Sequence, residues 1–223
     1  MKFGKFVIFA LCLILSASWA SAQVNVLNFD TDTPGKPPNT CFAALTGEGN
    51  PALWLVIKDP FAVSAPNVVV QFDLDPNGNR VPLLIYSGGT YTDVTLSVKF
   101  RFIRGNTDRA AGLVWGFKDS HNYYAARANA FENNVMLYRV SNGKSTVLPI
   151  KGTGSVKGFY IPMAIGEWFT LKVVVIRNVF EVYLNKAKLF EVATDGQTQG
   201  KVGLWTRADS YIFFDDFIIR DLK

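Results

Sequence analysis

The chain of 223 residues predicts an all-β fold, an antiparallel β-sandwich of two packed sheets. Three observations carry that expectation. Glycine, proline and asparagine clusters interrupt the sequence at short intervals, at 34–39, 75–79, 87–89, 104–106, 141–143 and 195–196. Between them lie short runs rich in Val, Ile, Phe, Tyr and Trp, residues that fit a pleated, half-buried surface. No run of about ten residues or more carries a helical apolar period that is not better read as strand.

Lys2 and Lys5 precede an apolar run over 6–15, and small residues then lead to Ala20-Ser21-Ala22. A positive start, an apolar stretch and an A-x-A site make the secretory signal pattern. The run is too short for a bilayer span, which needs roughly 20 apolar residues. Leu11 before Cys12 is too bulky for lipid attachment. A signal peptide over 1–22 is expected, cleaved after Ala22. It leaves one β-sandwich domain over 23–223, with no membrane span and a secreted or periplasmic destination. Cleavage removes Lys2 and Lys5 and no acidic residue, so the net charge falls from +5 to +3. A charge that small, spread along the chain, argues against a nucleic-acid surface. Cys41 is then the sole cysteine, which leaves no intrachain disulfide; it reads as a small apolar filler.

The elements follow in chain order. The proline-rich stretch 34–39 reads as a loop between a first strand and the body. Asp73-Leu74-Asp75 runs straight into Pro76-Asn77-Gly78 and reads as a turn. Tyr91 to Phe102 alternates. Val94, Leu96, Val98, Phe100 and Phe102 share one face and Thr95, Ser97, Lys99 and Arg101 the other, the mark of an outer antiparallel strand. Runs 111–117 and 122–128 pair across Lys118-Asp119-Ser120-His121. The run 135–140 turns at Ser141-Asn142-Gly143-Lys144, a hairpin signal. A meander follows through 169–176, 179–184 and 189–192, broken at Arg177-Asn178 and Asn185-Lys186, and 201–206 and 211–222 close the chain.

The densest polar cluster is Arg127 to Asn134. Alternation places Tyr123, Ala125, Arg127 and Asn129 on one face of their strand, and register decides whether Arg139 or Tyr138 joins them. Sugars require planar donors and acceptors for hydroxyls and an aromatic platform for C–H faces. Arg127, Asn129, Glu132 and Arg139 offer the first; Trp115, Tyr124 and Trp205 are candidate platforms. The alternative is structural: Arg127 and Glu132 pair to fix the hairpin while the tryptophans fill the core. His121, the sole histidine, argues against a Ser-His-Asp triad or a multi-histidine zinc site and reads as a turn residue. No phosphate-binding loop, nucleotide fingerprint or zinc-spaced cysteine set is present.

Several segments in this order carry a resemblance: Ala111-Gly112-Leu113-Val114-Trp115, Asn122-Tyr123-Tyr124, Asn134 to Arg139, Gly166-Glu167-Trp168, Gly200 to Trp205 and Phe214-Asp215-Asp216-Phe217. Together they resemble bacterial exported proteins of the concanavalin A-like (laminin G-like) jelly-roll superfamily. Within it they are similar to a group related to family-16 glycoside hydrolases, some of whose members are described as 3-keto-disaccharide hydrolases. The resemblance covers most of the chain after Ala22 and is weakest before Val68. It implies a jelly roll and a carbohydrate ligand, and it opens a hydrolase or lyase alternative with Glu132 or an aspartate as acid/base. It also implies a structural calcium ion where first and last strands meet, for which Asp30, Asp215 and Asp216 are the candidate ligands. The family-16 E-x-D-x-E strand does not occur here, so its paired-carboxylate retaining mechanism does not carry over. Three roles remain open: glycan binding, hydrolysis of modified disaccharides, and a structural or adhesion module.

Overall fold

The computed structural model describes Met1 and residues 23–223; the signal-peptide assignment falls on residues outside that set. The described residues form β1 (Val24–Leu27), β2 (Cys41–Thr46), β3 (Trp54–Lys58), β4 (Asn67–Gln71), β5 (Val81–Tyr86), β6 (Val94–Arg104), β7 (Ala110–Asp119) and β8 (Asn122–Asn129). They continue with β9 (Asn134–Ser141), β10 (Lys144–Val147), β11 (Phe159–Tyr160), β12 (Trp168–Ile176), β13 (Val179–Leu184), β14 (Ala187–Ala193), β15 (Lys201–Thr206) and β16 (Tyr211–Asp221). Among the described residues no helix is long and apolar enough to cross a membrane.

Two antiparallel sheets pack as a sandwich. The first runs β14-β13-β12-β6-β16-β4-β3, with β1 also pairing β16; the second runs β10-β9-β8-β7-β15-β5-β2, with β11 pairing β9. The hairpins close where the sequence supplies left-handed residues. Asn142 and Gly143 both have positive φ between β9 and β10, as do Asn185 and Lys186 between β13 and β14, which matches the twist of the flanking strands.

The five apolar residues of β6 that alternate in sequence all point into the core. β6 is not an outer strand of its sheet, however. It lies between β12 and β16, and its second face is half-exposed because the sheet's outer side is open there. Across the sandwich, Trp115 on β7 meets Phe180 on β13 edge-on at 5.0 Å; within the first sheet, Phe100 on β6 stacks on its partner Phe169 on β12 at 5.7 Å.

A second apolar cluster lies outside this core. Leu83 and Ile85 of β5, Val114 of β7, Tyr123 and Ala125 of β8, Val140 of β9 and Trp205 of β15 group separately from the inter-sheet residues. Strand parity places them on the outer face of the second sheet, and they form the floor on which the candidate site stands.

Candidate functional site

The site is built on β8 and its neighbours. The β8–β9 register sets Ala125 opposite Tyr138 and Arg127 opposite Met136, so Tyr138, not Arg139, shares the outer face with Arg127. The Arg127 guanidinium carbon lies 5.5 Å from the Tyr138 ring centroid. Tyr123, Ala125, Arg127 and Trp205 line a cleft of about 390 Å³, walled by Thr46 at the end of β2 with Gly47 and Glu48, by Gly78 and Asn79, and by the β9–β10 hairpin. The Tyr123 hydroxyl lies 2.9 Å from Thr46 Oγ1, and burial pushes that phenol up to about 12.

Arg127 is 2 % exposed although it belongs to the face turned away from the other sheet. Its guanidinium forks onto Glu132, Nη1 donating to Oε1 at 3.1 Å and Nη2 to Oε2 at 2.5 Å. Nη2 also donates to Asn134 Oδ1 at 2.8 Å, while the buried Nε has no partner. The hydrogen bonds from Arg127 hold the Glu132 carboxyl below the usual range. Half of the Glu132 side chain stays in solvent, so its oxygens remain reachable.

A second carboxylate borders the same region. Asp108 accepts from Asn129 Nδ2 at 2.8 Å and from the Arg109 amide at 2.7 Å, with Arg207 Nε 3.8 Å from its other oxygen. Burial raises the Asp108 carboxyl above its ordinary value, and the charge of Arg127 opposes that rise. The loop carrying Asp108 is fastened by Asp209, whose carboxylate accepts the amides of Asn106, Thr107 and Asp108 at 2.6, 2.9 and 3.0 Å. Asp108, Phe131, Glu132 and Arg207 line a groove of about 280 Å³. Arg207 and Gly78 belong to both the groove and the cleft.

The structure separates the candidates named from sequence. Trp115 and Tyr124 are not sugar platforms. Trp115 is 1 % exposed and stacks on Tyr124 at 5.9 Å, and both are inter-sheet core because parity turns Val114 and Tyr123 outward. Trp205 does face outward, but at 6 % exposure it is cleft floor. It lies over Gly112, where an added Cβ would fall 3.2 Å from the Trp205 Cβ. The Asn129 side chain accepts the amides of Phe131 and Glu132 at 2.8 and 3.0 Å, so it caps the turn that aims Glu132. Arg139 opposes Tyr124 and pairs with Asp195 at 3.3 Å, away from the fork. The sequence reading missed Asp108, Arg207 and Asp209, which reach the site only through the pairing of β7 with β15.

The acidic candidates at the first and last strands are engaged by protein donors. Asp215 accepts from the Ser64 amide at 2.8 Å, Asp216 from Ser64 Oγ at 3.0 Å, and Asp30 from the Asn67 amide at 3.2 Å. Among the described residues no group of three or more His, Cys, Asp or Glu is placed to hold a metal ion, whereas calcium takes about 6–8 oxygen ligands. His121 is exposed in the β7–β8 turn, its amide donating to Asp119 Oδ1 at 2.8 Å. Burial pushes the Cys41 thiol up to about 12, which disfavours the reactive thiolate.

No protein-family model matches the chain, and no match to a curated protein reached significance. Solved structures do match. The carbohydrate-binding module CBM66 from Bacillus subtilis superposes with a TM-score of 0.61 at 17 % identity, over 80 % of this chain and 96 % of that one. Domain 4 of AbnA, a GH43 extracellular arabinanase from Geobacillus stearothermophilus in complex with arabinotriose, gives 0.57 at 13 % identity, over 91 % and 94 %. A protein of unknown function with a galectin-like fold from Bacillus subtilis gives 0.54 at 12 % identity, over 81 % and 89 %. At such identities the likeness is one of architecture, and with the strand order above it makes the chain a jelly-roll β-sandwich.

Proposed function

We propose that the protein is an exported glycan-binding β-sandwich that holds a sugar in the cleft on the outer face of its second sheet. One observation carries this reading: a buried arginine on a sheet's outer face, forked onto a half-exposed glutamate beside an aromatic ring. Fork geometry fixes both groups, so the half-exposed Glu132 oxygens stand ready to accept from vicinal hydroxyls, with the Tyr138 ring alongside Arg127. Two structural relatives, a carbohydrate-binding module and an arabinanase domain in complex with arabinotriose, point the same way.

A second reading has its own observation. Asp108 and Glu132 border one groove with carboxyls pushed in opposite directions, by burial and by Arg127 respectively. Environments that drive two acids apart suit an acid–base pair, as a hydrolase of modified, 3-keto disaccharides would need.

One experiment addresses both. Glycans are titrated calorimetrically, with and without EDTA, against the parent and Arg127→Met, and bound disaccharides and 3-keto-glucosides are followed for turnover. Arg127→Met is expected to weaken binding at least about tenfold, roughly the 1.4 kcal/mol that a charge-assisted hydrogen bond contributes, with its circular-dichroism spectrum unchanged. Glycan binding indifferent to Arg127 removes the first reading. Turnover lost in Asp108→Asn while binding persists supports the second. A loss of binding in EDTA that added calcium restores supports a calcium-dependent reading.

A further inference from the structure

The two-residue strand β11 pairs with the start of β9, Phe159 opposite Val135 and Tyr160 opposite Asn134. Residues directly opposed in an antiparallel pair project to the same face. Val135 belongs to the inter-sheet core, and Phe159 on the same face stacks at the core's edge on Phe190 at 6.5 Å while staying 38 % exposed. Tyr160 therefore projects outward with Asn134, and it is 71 % exposed.

Asn134 ties this ring to the candidate site. Its Oδ1 accepts from Arg127 Nη2 at 2.8 Å and its Nδ2 donates to Glu132 Oε2 at 3.1 Å. An open phenol ring thus stands opposite Asn134, the residue that hydrogen-bonds both members of the Arg127–Glu132 fork. Its backbone is fixed on both sides. Gly158 adopts φ +76°, and a Cβ there would fall 2.4 Å from Met136 Cγ and 2.6 Å from the Val135 carbonyl oxygen. On the other side the Ile161 amide donates to the Asn133 carbonyl at 2.8 Å. A ring on a fixed backbone, open to water and opposite a residue of the hydrogen-bonding fork, is an arrangement that can receive the C–H face of a sugar.

We infer that Tyr160 is the platform of a second sugar subsite, so that the ligand is an oligosaccharide of two or more rings rather than a monosaccharide. This rests on reading the cleft as a glycan site. One ring is held at the Arg127–Glu132 fork and the next extends across Asn134 to stack on Tyr160. Tyr160 supplies stacking area and Asn134 sets the distance between the subsites.

The test uses ladders of one to four rings of neutral gluco-, arabino- and fructo-oligosaccharides, titrated calorimetrically against the parent, Tyr160→Ala, Tyr160→Trp and Arg127→Met. In the parent, the ladder that binds gains about five- to tenfold in affinity from one ring to two, the scale of an aromatic stacking contact. Tyr160→Ala removes that gain and keeps the single-ring affinity; Tyr160→Trp retains the gain. An affinity independent of ring number in the parent overturns the inference, as does a gain that survives Tyr160→Ala while Arg127→Met abolishes binding. If Arg127→Met binds every rung as the parent does, the failure lies with the cleft reading itself. A parent that binds no rung overturns both.

Discussion

The Arg127–Glu132 fork is a residue-scale device whose parts act only together. Taking a guanidinium out of water costs several kcal/mol, and only close, well-aligned partners offset it. Here the offset comes mostly from Glu132, which Arg127 holds ionised below the usual carboxylate range. A carboxyl whose folded pKa lies below its unfolded one contributes stability that is complete above the unfolded value. That contribution disappears as pH falls through the folded value. Asp108 has the opposite sign: burial raises it, so its contribution is complete below the unfolded value and is lost as pH rises through the folded one. Glycan affinity should therefore hold through neutral pH and fall in acid below the ordinary glutamate range, as protonated Glu132 releases Arg127. Glu132→Gln, weaker throughout, should show no acid limb. Calorimetric titrations across pH check this, and a parent affinity that stays flat into strong acid would contradict it.

Among the elements, a single buried side chain ties together segments far apart in sequence. Arg80, fully buried, donates to the carbonyls of Asn50 and Pro51 before β3, of Asp73 after β4 and of Ala208 before β16, at 2.8 to 3.3 Å. It also pairs with the Asp73 carboxylate at 3.2 Å. Arg80→Met should destabilise the protein by about 3 kcal/mol or more, since several carbonyls lose their donor at once. Arg80→Lys should recover little, because an ammonium cannot reproduce the planar fork. Urea denaturation checks both, and a midpoint within error of the parent would contradict the role. This clasp was invisible in the sequence, and so were most strands of the first half. The hairpins from β6 onward could be read because Asn142-Gly143 and Asn185-Lys186 announce left-handed turns and because β6 has one wet face. β4 has no such alternation: every residue in it is buried. The β3–β4 loop lies against the outer side of the first sheet, anchored by Asp59 to Arg101 and by the Phe61 carbonyl to Trp168 Nε1. A strand buried on both faces by distant chain carries no period to find. The polar site was half legible for a related reason. Arg127 and Glu132 lie five residues apart on one hairpin, whereas Asp108 and Arg207, distant in sequence, meet only because Ala111 pairs with Thr206 at one end of the β7–β15 ladder.

For the whole molecule, the sandwich assigns its two faces different tasks, and adjacent residues of β7 show the division. Trp115 turns inward to Tyr124 and Phe180, while Val114 turns outward to the floor beneath the cleft. A one-residue difference in parity exchanges these roles, so Trp115 and Trp205 look alike in composition and differ in function. Trp115→Ala should act on stability alone. Emptying a core tryptophan site costs about 3–5 kcal/mol, and each kcal/mol shifts the melting temperature of a domain near 200 residues by about 2–4 °C. A melt lowered by about 6–20 °C is therefore expected, while the fraction still folded at low temperature binds glycan within about twofold of the parent. Arg127→Met should reverse the pattern, with a large loss of affinity and a smaller change in melting, because Glu132 is left half in solvent rather than stranded in the core. Scanning calorimetry paired with titration below both melts separates the two. If Trp115→Ala lost affinity while keeping its melting temperature, the division between inner core and outer site would be overturned, because a packed tryptophan can reach a ligand only if the sheet presents its other face.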